Sequence, residues 1–257
     1  MKINEVLKIL NEYAPLKLSS EYVNKFNAYD NSGIIVDTQS EITGIVFSLD
    51  LTKKAIDVAI KNGANLIFTH HPAIYAPIKS IETDSPICYA ISNKIAVISF
   101  HLNLDMAKEG IDNYLALGLG AEKITILQPL EDKNTGYGRL YKVNSQPFHS
   151  VVERYEKVFN SNKVITYGNL NEEVNTVASF CGSGLDDSTI ELANSAELLI
   201  SSEIKHHVIL KALSSGKKLM SVTHYSCENY GFKRVYESLK GKFKGINLLY
   251  NEEEIYL

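Results

Sequence analysis

"NLIFTHHPAIY" (Asn65–Tyr75) sets four largely apolar residues, Leu66–Thr69, directly before His70, His71 and Pro72. A short apolar run without polar alternation reads as a strand covered on both faces. The same punctuation recurs twice. "AVISFHLNLD" ends a run at His101, and "KKLMSVTHYSCE" ends another at His224. In open α/β sheets, ligands gather beyond the carboxyl ends of strands. Histidines at three predicted strand ends therefore bear on chemistry as well as on fold.

Working outward, strands are predicted over Ile42–Ser48, Leu66–Thr69, Ile95–Phe100, Val174–Phe180, Leu198–Ile200 and Lys218–Val222. Helices are predicted over Ile3–Glu12, Thr52–Asn62, Ile111–Leu117, Ser150–Phe159, Ser188–Asn194, His206–Ser214 and Glu228–Leu239. Such alternation implies the α/β class, with helices packed on sheets. Near Gln128 the texture changes: "QPLEDKNTGYGRLYK" holds Pro129, several charges, Asn134 and two glycines. This stretch reads as a crossing between two halves, after which the α/β rhythm resumes beyond Pro147.

A chain of 257 residues with 45% hydrophobic and 22% charged residues can bury a sizeable core in one or two domains. Its formal net charge of -4 gives no electrostatic reason to expect nucleic-acid or anionic-membrane partners. The opening "MKINEVLKILNEYAP" carries Glu5, Lys8 and Glu12 among its apolar residues, so it reads as an amphipathic helix ended by Pro15 rather than a signal peptide. No run approaches the roughly 18–20 apolar residues of a membrane span. Cys88, Cys181 and Cys227 are widely spaced and lack a CxxC, which suits reduced thiols in a cytoplasmic protein.

The three histidine-ended runs deliver a larger donor set. The first gives His70 and His71. The second gives His101 and, four residues on, Asp105; the third gives His224 and, four residues on, Glu228. One histidine at a strand end is more often a hydrogen-bonded structural residue, and either four-residue spacing arises easily by chance. The joint pattern points to metal binding. Imidazoles with carboxylates suit zinc, manganese or iron better than magnesium or calcium. The set exceeds the three protein ligands of one open catalytic zinc. Two ions bridged by a carboxylate would use it fully, with Glu228, expected to open a helix, as the bridge. Water held by such a pair loses a proton near neutral pH, which is hydrolase chemistry. Cys227 is expected to point away from that set.

"FTHHP", "HLNLD" followed by "GIDNYLA", "CGSG", "SSEIKHH" and "HYSCEN" resemble, in that order, the motifs of the Nif-three-like family, often described as GTP cyclohydrolase I type 2 homologues. "YDNSGIIVD" (Tyr29–Asp37) is similar to its N-terminal DNxG element, and the length matches the short form without an inserted domain. The resemblance implies two interlocked α/β units with a dinuclear metal site in a cleft, assembled as a homohexamer. With the texture change near Gln128, it implies one unit of residues 1–127 plus 217–257 carrying the metal ligands and a second of 128–216. Residue by residue it implies that His70, His71, Asp105, His224 and Glu228 hold two divalent ions, with His101 beside them near the reacting groups. The sequence departs from the pattern at Ser201-Ser202-Glu203, where Thr-Gly-Glu is common, and at Asp37, where glycine is frequent. Both departures bear on substrate preference.

Gly182 and Gly184 of "CGSGLDDS" lie between a predicted strand and helix, where backbone N–H groups can meet a phosphate, although such turns also arise for steric reasons alone. His207 matches a family histidine that can face an anionic substrate or simply belong to a solvated first turn. The resulting expectation is a dinuclear metal-dependent hydrolase acting on a small phosphate-bearing or nucleotide-like substrate. The alternative is a non-catalytic metal-binding hexamer serving metal handling or regulation.

Overall fold

The computed structural model of the chain describes residues 1–253. The backbone divides into two units: Met1–Ala107 together with the segment from Phe232 on, and Lys108–Gly231.

The first unit contains α1 (Ile3–Tyr13), α2 (Leu16–Phe26), β1 (Gly33–Val36), β2 (Gly44–Ser48), α3 (Lys53–Lys61), β3 (Leu66–Thr69), α4 (Pro86–Ser92), β4 (Ala96–Ser99) and the one-turn α5 (Leu102–Met106). The second contains α6 (Ile111–Gly118), β5 (Glu122–Pro129), β6 (Gly136–Pro147), α7 (Phe148–Phe159), β7 (Val164–Tyr167), β8 (Glu173–Ser179), α8 (Thr189–Leu192), β9 (Leu198–Ser201), α9 (His206–Ser214) and β10 (Lys218–Val222). The division falls inside α10 (His224–Leu239), and β11 (Asn247–Asn251) completes the first unit.

In the first unit a five-stranded sheet runs β1-β4-β3-β2-β11. β2, β3, β4 and β11 are parallel, and β1 adds antiparallel to β4. Every residue of β2, β3 and β4 is buried, the expected state of parallel strands covered on both faces. On one face Val46, Ile67 and Val97 pack with Ala55, Ile56 and Ala59 of α3. Thr52 caps α3 by accepting from the Ala55 N–H at 3.0 Å, and Ser85 caps α4 ahead of Pro86. Elsewhere Phe68 packs edge-on to Phe47 and stacks on Phe232.

The second unit's six-stranded sheet runs β5-β6-β8-β9-β10-β7 and is mixed. β8, β9 and β10 are parallel neighbours, while β5, β6 and β7 join antiparallel. Between sheet and helix, Arg139 Nη1 lies 3.0 Å from Asp112 Oδ2, both side chains almost wholly buried.

β3, β10 and α9 occupy the spans their sequence predicts. Two expectations are corrected. The backbone divides near 107 and 231 rather than at 127 and 217. Gln128 lies inside β5, which pairs with β6, and β10 pairs with β9. The candidate donors are consequently shared out: His70, His71, His101 and Asp105 belong to the first unit, His224 and Glu228 to the second. The other correction concerns α10, which starts at His224 instead of Glu228. Thr223 Oγ1 accepts from the Ser226 N–H at 3.1 Å and so caps the helix there.

Candidate metal centre

In the first unit the donors follow the carboxyl ends of adjacent parallel strands. The N–H groups of His70 and His71 both donate to Leu49 O, at 3.2 and 3.0 Å, which fixes the turn beyond β3. His70 Nδ1 lies 3.0 Å from Phe100 O. A carbonyl oxygen only accepts, so Nδ1 carries the proton and Nε2 the lone pair. That Nε2 stands 3.4 Å from Asp105 Oδ1. His71 Nδ1 is 2.7 Å from Asp50 Oδ1, beyond the end of β2.

His101 follows β4. Its N–H donates to Ser32 Oγ at 3.0 Å, and its Nδ1 is held by Asp30 Oδ1 at 2.8 Å. Burial works to raise the Asp30 carboxyl, but hydrogen bonds from His101, Ser19 and Ser32 outweigh it and hold it below the ordinary carboxylate range. Asp105 sits one turn further on, its N–H donating to His101 O at 3.1 Å. Donor atoms of His70, His101 and Asp105 all lie within 4.8 Å of one another. His101, which the resemblance put beside the ions, therefore stands among donors.

The second unit repeats the device. His224 Nδ1 is 2.9 Å from Glu203 Oε2, beyond the end of β9, and His224 Nε2 is 3.2 Å from Glu228 Oε1. The four-residue spacing within α10 brings both side chains to one helix face. Gly182 has φ +56°, and a Cβ there would meet Glu228 Oε1 at 2.6 Å and His224 Nε2 at 3.2 Å. Glycine is thus required both by its backbone conformation and by the donors beside it. Its N–H donates to Cys227 Sγ at 3.3 Å, and the buried Cys227 thiol donates to His224 O at 3.2 Å. Gly184 makes room for the Tyr137 ring. His207 is 58% exposed and pairs with Asp187 at 2.8 Å. Ser202, where the family favours glycine, lies outside the positive-φ region; Glu203, with φ +41°, takes the left-handed position.

These residues fit a metal. His70, Asp105 and Glu228 are buried, and a buried carboxylate is ordinarily paired or bound to a cation. His70 Nε2 and Asp105 Oδ1, and likewise His224 Nε2 and Glu228 Oε1, face each other at 3.4 and 3.2 Å. That is about the separation of two ligands on one ion with bonds of roughly 2.0–2.2 Å. Each imidazole is also anchored through Nδ1, three by a carboxylate and one by a carbonyl, as is usual for metal-bound histidine.

Asp50 has no place in the sequence motifs; Glu203 enters them only through the Ser201-Ser202-Glu203 departure, and Asp30 only through the DNxG element. Each carboxylate lies near a strand end, Asp50 after β2, Glu203 after β9 and Asp30 shortly before β1. Beside His71 a cleft of about 260 Å³ is lined by Asp50, Leu51, Pro72, Pro86 and Ile87 among others.

A family model described as Duf34/NIF3 (NGG1p interacting factor 3) matches residues 1–254. A relative from Clostridium perfringens named GTP cyclohydrolase 1 type 2 homolog is 29% identical, over 93% of this chain and 92% of its own length. One of the same name from Methanocaldococcus jannaschii is 28% identical, over 93% and 95%. Among solved structures, the Staphylococcus aureus protein SA1388 matches with TM-score 0.86 at 22% identity, covering 98% of this chain and 97% of that one. Reduced HcgD from Methanocaldococcus jannaschii matches with TM-score 0.79 at 27% identity, covering 98% of each chain.

Proposed function

The chain belongs to the Duf34/NIF3 family, and from that premise we propose that it is a metal-dependent hydrolase of small phosphate-bearing or nucleotide-like substrates. The metal ligands in this reading are His70, His71, Asp105, His224 and Glu228, holding two ions of zinc, manganese or iron. The observation that carries it is the anchoring of each of His70, His71, His101 and His224 through Nδ1, which aims the remaining ring nitrogen at a ligand. The name shared by the relatives, GTP cyclohydrolase 1 type 2 homolog, agrees with hydrolytic chemistry on a nucleotide.

Divalent ions in such a set supply Lewis acidity and a nucleophile drawn from water near neutral pH. The protein's own residues supply the rest. Asp30 fixes the ring of His101 so that Nε2 can take or return a proton at the reacting centre. Asp50 and Glu203 hold His71 and His224 in the tautomer whose Nε2 lone pair faces outward. Gly182 and Gly184 border the substrate, and His207 meets its anionic end. A homohexamer in the cytoplasm completes the reading. No helix among the described residues is long and apolar enough to cross a membrane.

Metal content per chain, measured by plasma mass spectrometry on untagged protein, tests the core of this. About two ions in the wild type, falling to one or none in Glu228→Ala, together with metal-dependent hydrolysis of a nucleotide panel, would sustain it. A chain that stays empty after incubation with zinc, manganese and iron would end it. A second reading, a metal-binding hexamer that acts through protein contacts without catalysis, is favoured by the family's description as an interacting factor. It is the one left standing if the loaded protein hydrolyses nothing.

A further inference from the structure

Tyr29 and Tyr75 are 48% and 49% exposed, and Tyr75 lies beside His101. Their rings meet edge to face, centroids 5.2 Å apart at 74°. The arrangement is fixed by polar bonds: Tyr75 donates through its hydroxyl to Tyr29 O at 3.3 Å, and Asn31 Nδ2 donates to Ile74 O at 2.6 Å. The two loops are thereby tied so that the pair holds one geometry. Tyr75 in turn stands perpendicular to His101, at 87° and 6.1 Å between ring centroids. The pair is thus an exposed aromatic surface, tied by hydrogen bonds and set beside the His101 imidazole. Aromatic faces left open in this way suit a planar ring, because stacking asks for area and orientation and little hydrogen-bond readout.

We propose that Tyr75, braced by Tyr29, is a stacking wall for the planar ring of the substrate and selects nucleobase-bearing phosphates over aliphatic ones. The proposal rests on the hydrolase reading for the position of the phosphate and adds to it the group that recognises the other end. Tyr75 binds and does no chemistry: with burial, Asp30 and Tyr29 all raising its phenol, the hydroxyl stays protonated and engaged with Tyr29 O.

Calorimetric titration of the manganese-loaded full chain with GMP and with ribose 5-phosphate isolates the base from the sugar phosphate. The wild type should bind GMP roughly tenfold or more tightly, the size expected of one base–aromatic stack. Tyr75→Ala should remove most of that preference while leaving ribose 5-phosphate affinity and metal content unchanged, and Tyr75→Phe should keep it. Equal affinity for the two ligands in the wild type would overturn the wall while leaving the hydrolase reading intact. So would a preference that survives Tyr75→Ala, including the case where that variant alters only the sedimentation of the protein and the pair is a contact between copies. Failure of the loaded wild type to bind either ligand would overturn the phosphate reading, and the wall with it.

Discussion

At the scale of single residues, the donors are ordinary and their anchors are specific. An imidazole tied through Nδ1 loses rotational freedom and keeps its lone pair aimed, so deleting the tie weakens a ligand that is still present. Asp50→Ala and Glu203→Ala should each lower metal affinity about 10- to 100-fold without lowering the number of ions bound at saturation, as read by competition with a chelator. Gly182→Ala acts by intrusion instead. The new Cβ meets Glu228 Oε1 and forces a residue at φ +56° into strain, which should cost about 1–3 kcal/mol in chemical denaturation and reduce metal content. The candidate donors stand out in the sequence because His70, His101 and His224 each follow an apolar run, with Asp105 and Glu228 four residues beyond the last two. Their anchors do not. Asp50 lies 21 residues from His71, Asp30 lies 71 from His101, and Glu203 lies 21 from His224. Only the order of strands in a sheet makes such residues neighbours.

At the scale of elements, the apolar runs make β2, β3, β4, β8, β9 and β10 legible, while the outer strands β1, β5, β7 and β11, and β6 between β5 and β8, are not. The charges and glycines from Gln128 to Lys142 read as a crossing, where the structure has the end of β5 and the first half of β6. Those glycines serve close approach: a side chain at Gly136 would collide with Gln128 O, and at Gly138 with the Phe180 ring at 2.6 Å. This part of the second sheet is held by the buried Asp112–Arg139 pair, in which Asp112 also accepts the Cys181 N–H at 3.1 Å. Asp112→Asn leaves a guanidinium buried without its counter-charge and should destabilise the fold by about 3–5 kcal/mol in urea. Glu197 ties β8 to the start of β9 by accepting the N–H groups of Asn175 and Thr176 at 2.7 and 3.0 Å. Burial opposes these bonds, yet together with Lys142 and Lys218 they hold its carboxyl below the usual value of 4.5. A carboxylate with a lowered folded pKa stabilises the fold above its unfolded value and loses that contribution as pH falls through the folded one. Stability measured from pH 6 down to pH 3 should therefore decline less steeply in Glu197→Gln than in the wild type.

At the scale of the whole molecule, the α/β class and the recurrence of histidine at strand ends were in the sequence, while the division of labour was not. β3 and β4 carry one set of donors and β10 leads to the other, in a different sheet. The local pattern of a strand does not say which sheet it joins. In the metal-dependent reading, an ion that binds only the folded chain, at about 100-fold over its dissociation constant, should add about 2.7 kcal/mol of stability. Thermal melts with and without manganese should show a rise that chelation reverses and that Glu228→Ala abolishes.

The place of β11 carries a consequence for how the protein is made. Residues Lys108–Gly231 are continuous in the chain, so the second unit holds all its strands once that stretch has been synthesised. The first unit begins earlier and finishes last, because β2 has β3 on one side but gains its second parallel neighbour, β11, only when Asn247–Asn251 emerge. Until then the strand that leads to Asp50 is an open edge, able to pair with any extended segment nearby. A ribosome stalled before codon 247 would hold a finished second unit beside an unfinished first one, and the histidines met first in the sequence would be among the last to reach their native surroundings.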